Sequence, residues 1–269
     1  MDEQRRGRSP LFAGLIYGST AAYAGLLALL LIAMVVYLMT TKQPWTFRLL
    51  ATDEVRYAIG FSLVSCTLAA LLALLVAIPV GYVLARRPFP GRACVDALLD
   101  VPIVLPPLVV GLALLMLFWA AVPGTDWRLS GLIDLTFTEA GVVLAQFVVA
   151  AAFAVRAMRA TFEELPARPE QVALVLGASP WQAFSRVTLP AAGRGCIVAF
   201  TLAWARSMGE FGPILVFAGA TRMKTEVLST TVFLEISVGS YENALIVSLL
   251  MVALSLAALL VIRLLGTRA

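Results

Sequence analysis

The sequence of 269 residues contains no histidine, and its three cysteines are widely separated. The missing imidazole removes the commonest general base and the commonest ligand for transition metals. Cys66, Cys94 and Cys196 form no Cys-x-x-Cys pair, so neither a disulfide framework nor a metal site is indicated. The sequence also lacks the GxxxxGK[ST] loop with which P-loop ATPases bind phosphate. We therefore predict that the chain is not an enzyme and binds no metal or cofactor itself.

Charged side chains are scarce, at 13% of residues, whereas hydrophobic residues make up 61%. An average soluble domain has about 25% charged and about 45–50% apolar residues, so the composition predicts an integral membrane protein. The apolar runs are spread evenly from residue 12 to residue 265, which predicts a single transmembrane domain over 1–269. The formal charge of +4 does not indicate nucleic-acid binding, because the basic residues flank the apolar runs instead of clustering.

Six apolar segments have the length of about 20 residues that a helix needs to cross a bilayer. They are 15–39, 58–85, 101–122, 140–157, 196–218 and 244–265. We therefore expect an all-α membrane protein with about six transmembrane helices. Thirteen arginines flank one set of span ends, whereas four arginines and two lysines flank the other. Because short basic loops stay in the cytoplasm, both termini are predicted to be cytoplasmic, with outer loops near 40–57, 123–139 and 219–243.

One amphipathic stretch, EQVALVLGASPWQAFSRVTLP (170–190), lies in the predicted cytoplasmic loop between the fourth and fifth spans. Pro169 suits a first helical turn and Gly177 suits a left-handed helix end, so a short helix is predicted between them. Ser179 and Pro180 then predict the N-cap and first residue of a second short helix, which is expected to end at the final Leu-Pro. Helices of about two turns are unstable alone in water. They must dock on this chain's own spans or on a partner, and periodicity leaves both possibilities open.

Two predicted spans contain residues that are unusual inside a membrane. The third opens with DVPIVLPP (100–107), whose prolines break helical hydrogen bonds that neighbours or a water-filled cavity must satisfy. This pattern fits either a kinked entry or a broken helix that lines a transport path. The fifth contains ARSMGEFGP (205–213), in which Arg206 and Glu210 are each costly in lipid unless paired or wet. They form either a neutralising ion pair or part of a gate, since the nearby glycines permit close helix contact.

Three of these motifs resemble one family. The spacing Gly, nine residues, Val, one residue, Leu-Pro (177–190) resembles the cytoplasmic signature of permease subunits of ATP-binding-cassette importers. Gln-Val-Ala (171–173) stands at the Glu-Ala-Ala place of that signature, with Glu170 one residue earlier. The strings VPIVLPPLVVG and ARSMGEFGPILVFAG resemble spans of permeases in the molybdate, tungstate and sulfate branch, which usually have a small residue in place of Pro213.

The resemblance implies a role for each motif. In that family the cytoplasmic segment, here 163–190, is a coupling helix that sits in a groove of a separate ATP-hydrolysing subunit. The residues that the resemblance assigns to this coupling are Glu170, Gln171, Ala173, Gly177, Ala178, Ser179, Trp181, Phe184, Leu189 and Pro190. Those assigned to the pathway or gate are Pro102, Pro106, Pro107, Arg206, Gly209, Glu210, Phe211 and Gly212.

The same resemblance implies partners and cargo. The chain would form a homodimer in the plasma (inner) membrane of a prokaryote, surrounded by lipid. ATP and magnesium would bind to two partner ATPase subunits, and an extracytoplasmic solute-binding protein would deliver the substrate. Molybdate or tungstate is the first expectation for that substrate, and sulfate is the next.

Two other functions are compatible with parts of the sequence. One is the same importer class with other cargo, such as thiamine or ferric ion, against which the proline-rich third span and the Gly-Glu-Phe-Gly string argue. The other is a secondary transporter driven by ions, which would need acidic or polar coupling groups in several spans. Glu210 is the only acidic residue well inside a predicted span.

Overall fold

A computed structural model describes residues 10–40, 52–120 and 128–266. All regular elements in these ranges are helical, as the composition predicts. The α-helices are α1 (Pro10–Thr40), α2 (Asp53–Arg86), α3 (Arg92–Val104), α4 (Pro107–Trp119), α5 (Glu139–Glu164), α6 (Arg168–Val175), α7 (Pro180–Ala183), α8 (Leu189–Ala191), α9 (Gly193–Met208), α10 (Gly212–Phe217), α11 (Leu228–Ser237) and α12 (Tyr241–Gly266). A 3-10 turn lies at Leu129–Gly131, and a π-helical turn at Phe184–Thr188 joins α7 to α8.

The described residues form two compact units, of which the first contains α1 and the second contains α2 to α12. The described side chains of α1 are mostly apolar, with no polar face, and almost all of them are exposed. A helix without a polar face is suited to lipid contact along its whole length.

The core of the second unit lies where α2 packs along α5, with α9 against both. Small residues line this contact, among them Ala70, Ala73 and Ala77 on α2 and Ala150 and Ala154 on α5, all fully buried. Farther along α2, a Cβ added to its last glycine would lie 2.9 Å from the backbone of α5. Small side chains allow helices to approach closely in membranes, where van der Waals packing drives their association.

Within the described ranges, α1, α2, α5 and α12 are each long and apolar enough to cross a membrane. Two bent pairs raise the possible number to six, the predicted number. The first pair is α3 with α4, bent by 112°, and the second is Pro180–Ala191 with α9, bent by 69°.

The structure refines three sequence predictions. Of the two alternatives for the third span it shows a broken helix, because the chain breaks between Val104 and Pro107, where Pro106 has no N–H to continue the ladder. The fifth span is interrupted at 209–211, after which α10 adds six residues. The predicted outer loop 219–243 contains a further helix, α11, and the start of α12. The predicted loop residues 41–51 and 123–127 and the third span's end at Val122 lie outside the described residues.

Candidate functional site

In the predicted cytoplasmic segment, the first short helix ends and the second begins where the sequence predicts. Gly177 has φ of +90°, the left-handed conformation that stops α6, and the next residue's N–H donates to the Ala173 carbonyl at 3.0 Å. Ser179 caps α7, since its Oγ accepts from the Gln182 N–H at 3.3 Å. The Gln182 side chain accepts from the Ser179 N–H at 2.9 Å in return, which completes a capping box.

Leu189 and Pro190, however, do not end the second helix as predicted. The chain continues through the π-helical turn into α8, and it bends only before α9. In the π turn the Leu189 N–H donates to the Phe184 carbonyl five residues earlier, which changes the register of the backbone ladder. Pro190 is the second residue of α8 and has no N–H to donate to the preceding π turn.

The apolar side chains of this segment divide between an inner face and an outer face. Phe184 is half-buried, with its ring 4.7 Å from the Tyr82 ring of α2. By contrast, the exposed fractions are 87% for Val175, 82% for Leu176 and 71% for Trp181. The segment therefore packs on its own spans through the inner face, and it presents a second apolar surface to its surroundings. We call Val175, Leu176 and Trp181 the outer apolar face.

The remaining predicted coupling residues are distributed over both faces. Glu170 turns inward and is half-buried. Ala173, Ala178 and Leu189 are also half-buried, whereas Gln171 and Pro190 are exposed.

The two unusual intramembrane motifs meet in the structure, although they are about a hundred residues apart in sequence. The break between α3 and α4 lies against the start of α10. A Cβ added to Gly212 would lie 2.9 Å from the Leu108 nitrogen, and one added to Gly111 would lie 2.8 Å from the Pro213 Cα. A Cβ at either position would overlap the facing backbone, so both contacts require glycine.

The predicted gate residues occupy different environments around this contact. Pro106 and Pro107 stay exposed, and Pro102 is half-buried inside α3. Gly209 is exposed and Phe211 lies with its ring 5.0 Å from the Phe233 ring of α11.

Arg206 and Glu210 form the ion pair that their spacing allows. Arg206 Nη2 lies 2.6 Å from Glu210 Oε1 across the end of α9, and only 1% of the Glu210 side chain is exposed. The Arg206 guanidinium also lies 5.8 Å from the centroid of the Phe153 ring. The pair neutralises the buried Glu210, which is the only acid of the motif, and a cation in the last turn of α9 complements the helix dipole.

A buried glutamine that the sequence reasoning missed supports the same helix end. Gln146 of α5 donates from Nε2 to the Ser207 carbonyl at 3.4 Å, and its Nε2 lies at the same distance from Cys66 Sγ of α2. It therefore connects three helices just before the break in the fifth span. A lone amide inside the apolar run of α5 was the available signal, since such side chains join helices in membranes.

A row of ion pairs fixes α3 to α5. Arg156 binds Asp100 through two hydrogen bonds of 2.8 and 2.7 Å, and Arg159 binds Asp96. A third pair joins Arg92 to α5 at 3.5 Å. Residues 92, 96 and 100 are four apart, so they share one face of α3, and this spacing was visible in the sequence.

A polar cluster lies around the N-terminal ends of α2 and α12. Arg222 donates to Glu54 and, at 3.0 Å, to Glu235 of α11. Glu226 is 1% exposed and accepts from the Thr231 hydroxyl at 3.0 Å. Its burial raises the pKa of the Glu226 carboxyl above the ordinary value of 4.5, although the Thr231 hydrogen bond and the Arg222 charge oppose this shift. No group of three or more potential metal ligands occurs among the residues described.

Comparison with known proteins gives consistent matches. Residues 77–269 match the model of a family described as the binding-protein-dependent transport system inner membrane component. A sulfate transport system permease protein of Escherichia coli is 31% identical over 93% of this chain and 91% of its own length. A molybdate/tungstate transport system permease protein of Thermococcus kodakarensis is 41% identical over 60% of each chain.

A solved structure shares the fold. It is a bacterial alginate ABC transporter in complex with an alginate pentasaccharide-bound periplasmic protein, and one of its chains matches with a TM-score of 0.68. The alignment covers 93% of this chain and 96% of that chain at 16% sequence identity.

Proposed function

This chain belongs to the family of binding-protein-dependent transport system inner membrane components, and we propose that it is the permease subunit of an ATP-driven oxyanion importer. Molybdate or tungstate is the first candidate for the cargo, and sulfate is the second. The relatives support this class, since they include permeases named for sulfate and for molybdate/tungstate.

The observation that carries the proposal is the outer apolar face. Val175 and Leu176 are exposed at the end of α6, which is not one of the helices long and apolar enough to cross a membrane, and Trp181 is exposed at the start of α7. Exposed apolar side chains grouped in this way indicate a protein contact. The partner would be a separate ATPase chain that binds ATP and magnesium, because this sequence has no P-loop.

The arginine distribution supports a cytoplasmic position for this surface, at which a cytoplasmic ATPase could dock. Closure of that ATPase would then displace α6 and α7. The displacement would reach the membrane through α9, which continues from the segment after one bend.

The paired helix breaks are the proposed gate. At Pro106–Pro107 and at 209–211 the helices lack continuous backbone ladders, so each half can move without breaking a complete set of hydrogen bonds. The exposed prolines would face the translocation path, which a homodimer of this chain would enclose. A solute-binding protein would deliver the anion to the side opposite the coupling segment.

Reconstitution of the complete importer tests this function. The permease, its ATPase and its solute-binding protein are placed in lipid vesicles, and uptake of molybdate, tungstate and sulfate is measured with and without ATP. Leu176→Glu adds a charge to the outer apolar face and should abolish ATP-dependent uptake. Leu132→Glu is the matched control, because Leu132 is also exposed, at 67%. It lies before the N-terminal end of α5, whereas the coupling segment follows the C-terminal end of that helix. Equal uptake by both variants would refute the assigned docking face.

A further inference from the structure

Three parts of the chain meet at the carboxylate of Glu170. One oxygen accepts from the Tyr82 hydroxyl of α2, and the other accepts from the Thr188 hydroxyl at 2.9 Å. Glu170 belongs to the first turn of α6, whereas Thr188 is the last residue of the π turn. A single side chain thus connects the beginning of the coupling segment, its end and a membrane helix.

Burial makes this connection more than a surface contact. Thr188 is 5% exposed, and the Tyr82 ring packs against the rings of Phe162 and Phe184 at 5.6 and 4.7 Å. Hydrogen bonds to a charged acceptor are stronger than bonds between neutral groups, and they gain further strength where water is excluded.

A second contact from α2 lies one helical turn after Tyr82. Arg86 Nη2 donates to the Leu165 carbonyl at 2.6 Å, where the chain leaves α5 and enters the coupling segment. The last turn of α2 therefore holds the segment both at its entrance and at Glu170.

The backbone around these contacts needs such support. The π turn interrupts the α-helical hydrogen-bond ladder, and the chain bends by 69° just after α8. A force applied to α6 and α7 would flex these joints first. Bonds that bridge the joints would instead transmit the displacement to α2, and through the tight α2–α5 packing to the core.

We propose that Glu170 is a positioning residue that ties the coupling segment to α2 through Tyr82 and Thr188, instead of contacting the ATPase. This inference rests on the proposed function, since it assigns the mechanical link within that importer. It predicts that without these hydrogen bonds the ATPase stays bound and hydrolyses ATP, but fewer anions are transported per ATP.

The test uses the complete reconstituted importer with molybdate, tungstate and sulfate in turn, and it measures anions transported per ATP hydrolysed. Tyr82→Phe keeps the ring packing and removes one hydrogen bond, and Thr188→Val removes the other without changing the volume. Each should lower the ratio about threefold or more, while the ATPase still co-purifies with the permease. On a Glu170→Ala background, Tyr82→Phe should cause little additional loss, because both variants remove the same tie.

Matched controls separate this effect from general damage. Tyr23→Phe alters an exposed tyrosine of α1, and Thr201→Val removes a hydroxyl that donates to the Ile197 carbonyl of its own helix. Both should keep the transport ratio of the unmodified chain.

Two results would overturn the inference. One is loss of the ATPase from Glu170→Ala but not from Tyr82→Phe, which would make Glu170 a contact with the partner. The other is that Tyr82→Phe lowers the transport ratio as much on the Glu170→Ala background as in the unmodified chain, which would make the two residues independent. Absence of ATP-driven uptake by the unmodified chain would instead refute the proposed function itself.

Discussion

The contact between the two helix breaks yields the sharpest prediction, because one methyl group should disturb it. Gly212→Ala would place Cβ 2.9 Å from the Leu108 nitrogen and 3.0 Å from Pro107 Cβ. Backbone atoms cannot rotate out of the way, so α4 and α10 must separate. Overpacking of this kind costs about 1–3 kcal/mol. A cost of about 2 kcal/mol lowers the equilibrium constant for the close packing by roughly 30-fold.

Thermal unfolding of the purified protein in detergent measures this cost. The unfolding midpoint of Gly212→Ala should fall by about 4–8 °C if the scaling for domains of about 200 residues applies. Gly209→Ala is the control from the same string, because the nearest atom to its Cβ would be the Arg206 oxygen at 3.9 Å and its φ of −85° suits alanine. Equal midpoints for the two variants would refute the close contact between the motifs.

Three other predictions concern buried polar groups, and each is read from the unfolding midpoint. Ser62→Ala should destabilise the protein by about 1–3 kcal/mol, because the buried Leu228 N–H loses the acceptor that it now has at 2.8 Å; no change would contradict this bond. Folding raises the pKa of the Glu226 carboxyl above 4.5, so this group binds more protons in the folded state than in the unfolded state. The free energy of unfolding should therefore fall as pH rises above 4.5, until Glu226 is ionised in the folded state as well. Glu226→Gln should abolish this pH-dependent loss. Arg206→Met should cost about 3–5 kcal/mol by leaving Glu210 unpaired, and adding Glu210→Gln should recover most of this, whereas additive losses would argue against the pair.

Local signals in the sequence predicted the parts of the fold that depend on nearby residues. The helix end at Gly177 and the cap at Ser179 follow from backbone conformation and short-range hydrogen bonds, and both are confirmed. The long apolar runs predicted about six membrane crossings, and the described helices allow four to six. These features need no knowledge of distant contacts.

Features that depend on distant residues could not be predicted in this way. α11 is only ten residues long and rich in serine and threonine, and Ser62, 166 residues earlier, accepts its first N–H. The different environments of Trp181 and Phe184 depend on α2, since Tyr82 covers only the second ring. The inward turn of Glu170 similarly depends on a hydroxyl 88 residues away.

The pairing of the two intramembrane motifs lies between these cases. Each motif was identified from its prolines, glycines and charges, but nothing in one sequence stated that they touch. The close approach of Gly111 to Pro213 and of Gly212 to Leu108 appears only once α4 and α10 are packed. Sequence reasoning thus identified both motifs, and the structure shows that they touch.

The most direct test of the central claim is purification of the protein from its native membrane in mild detergent, followed by identification of what remains bound. We expect an ATP-binding-cassette ATPase in the complex, and we expect Leu176→Glu to lose this subunit while Leu132→Glu keeps it. Recovery of the unmodified chain without any ATPase, under conditions that preserve known importers, would contradict the claim that the outer apolar face is a docking surface for an ATPase.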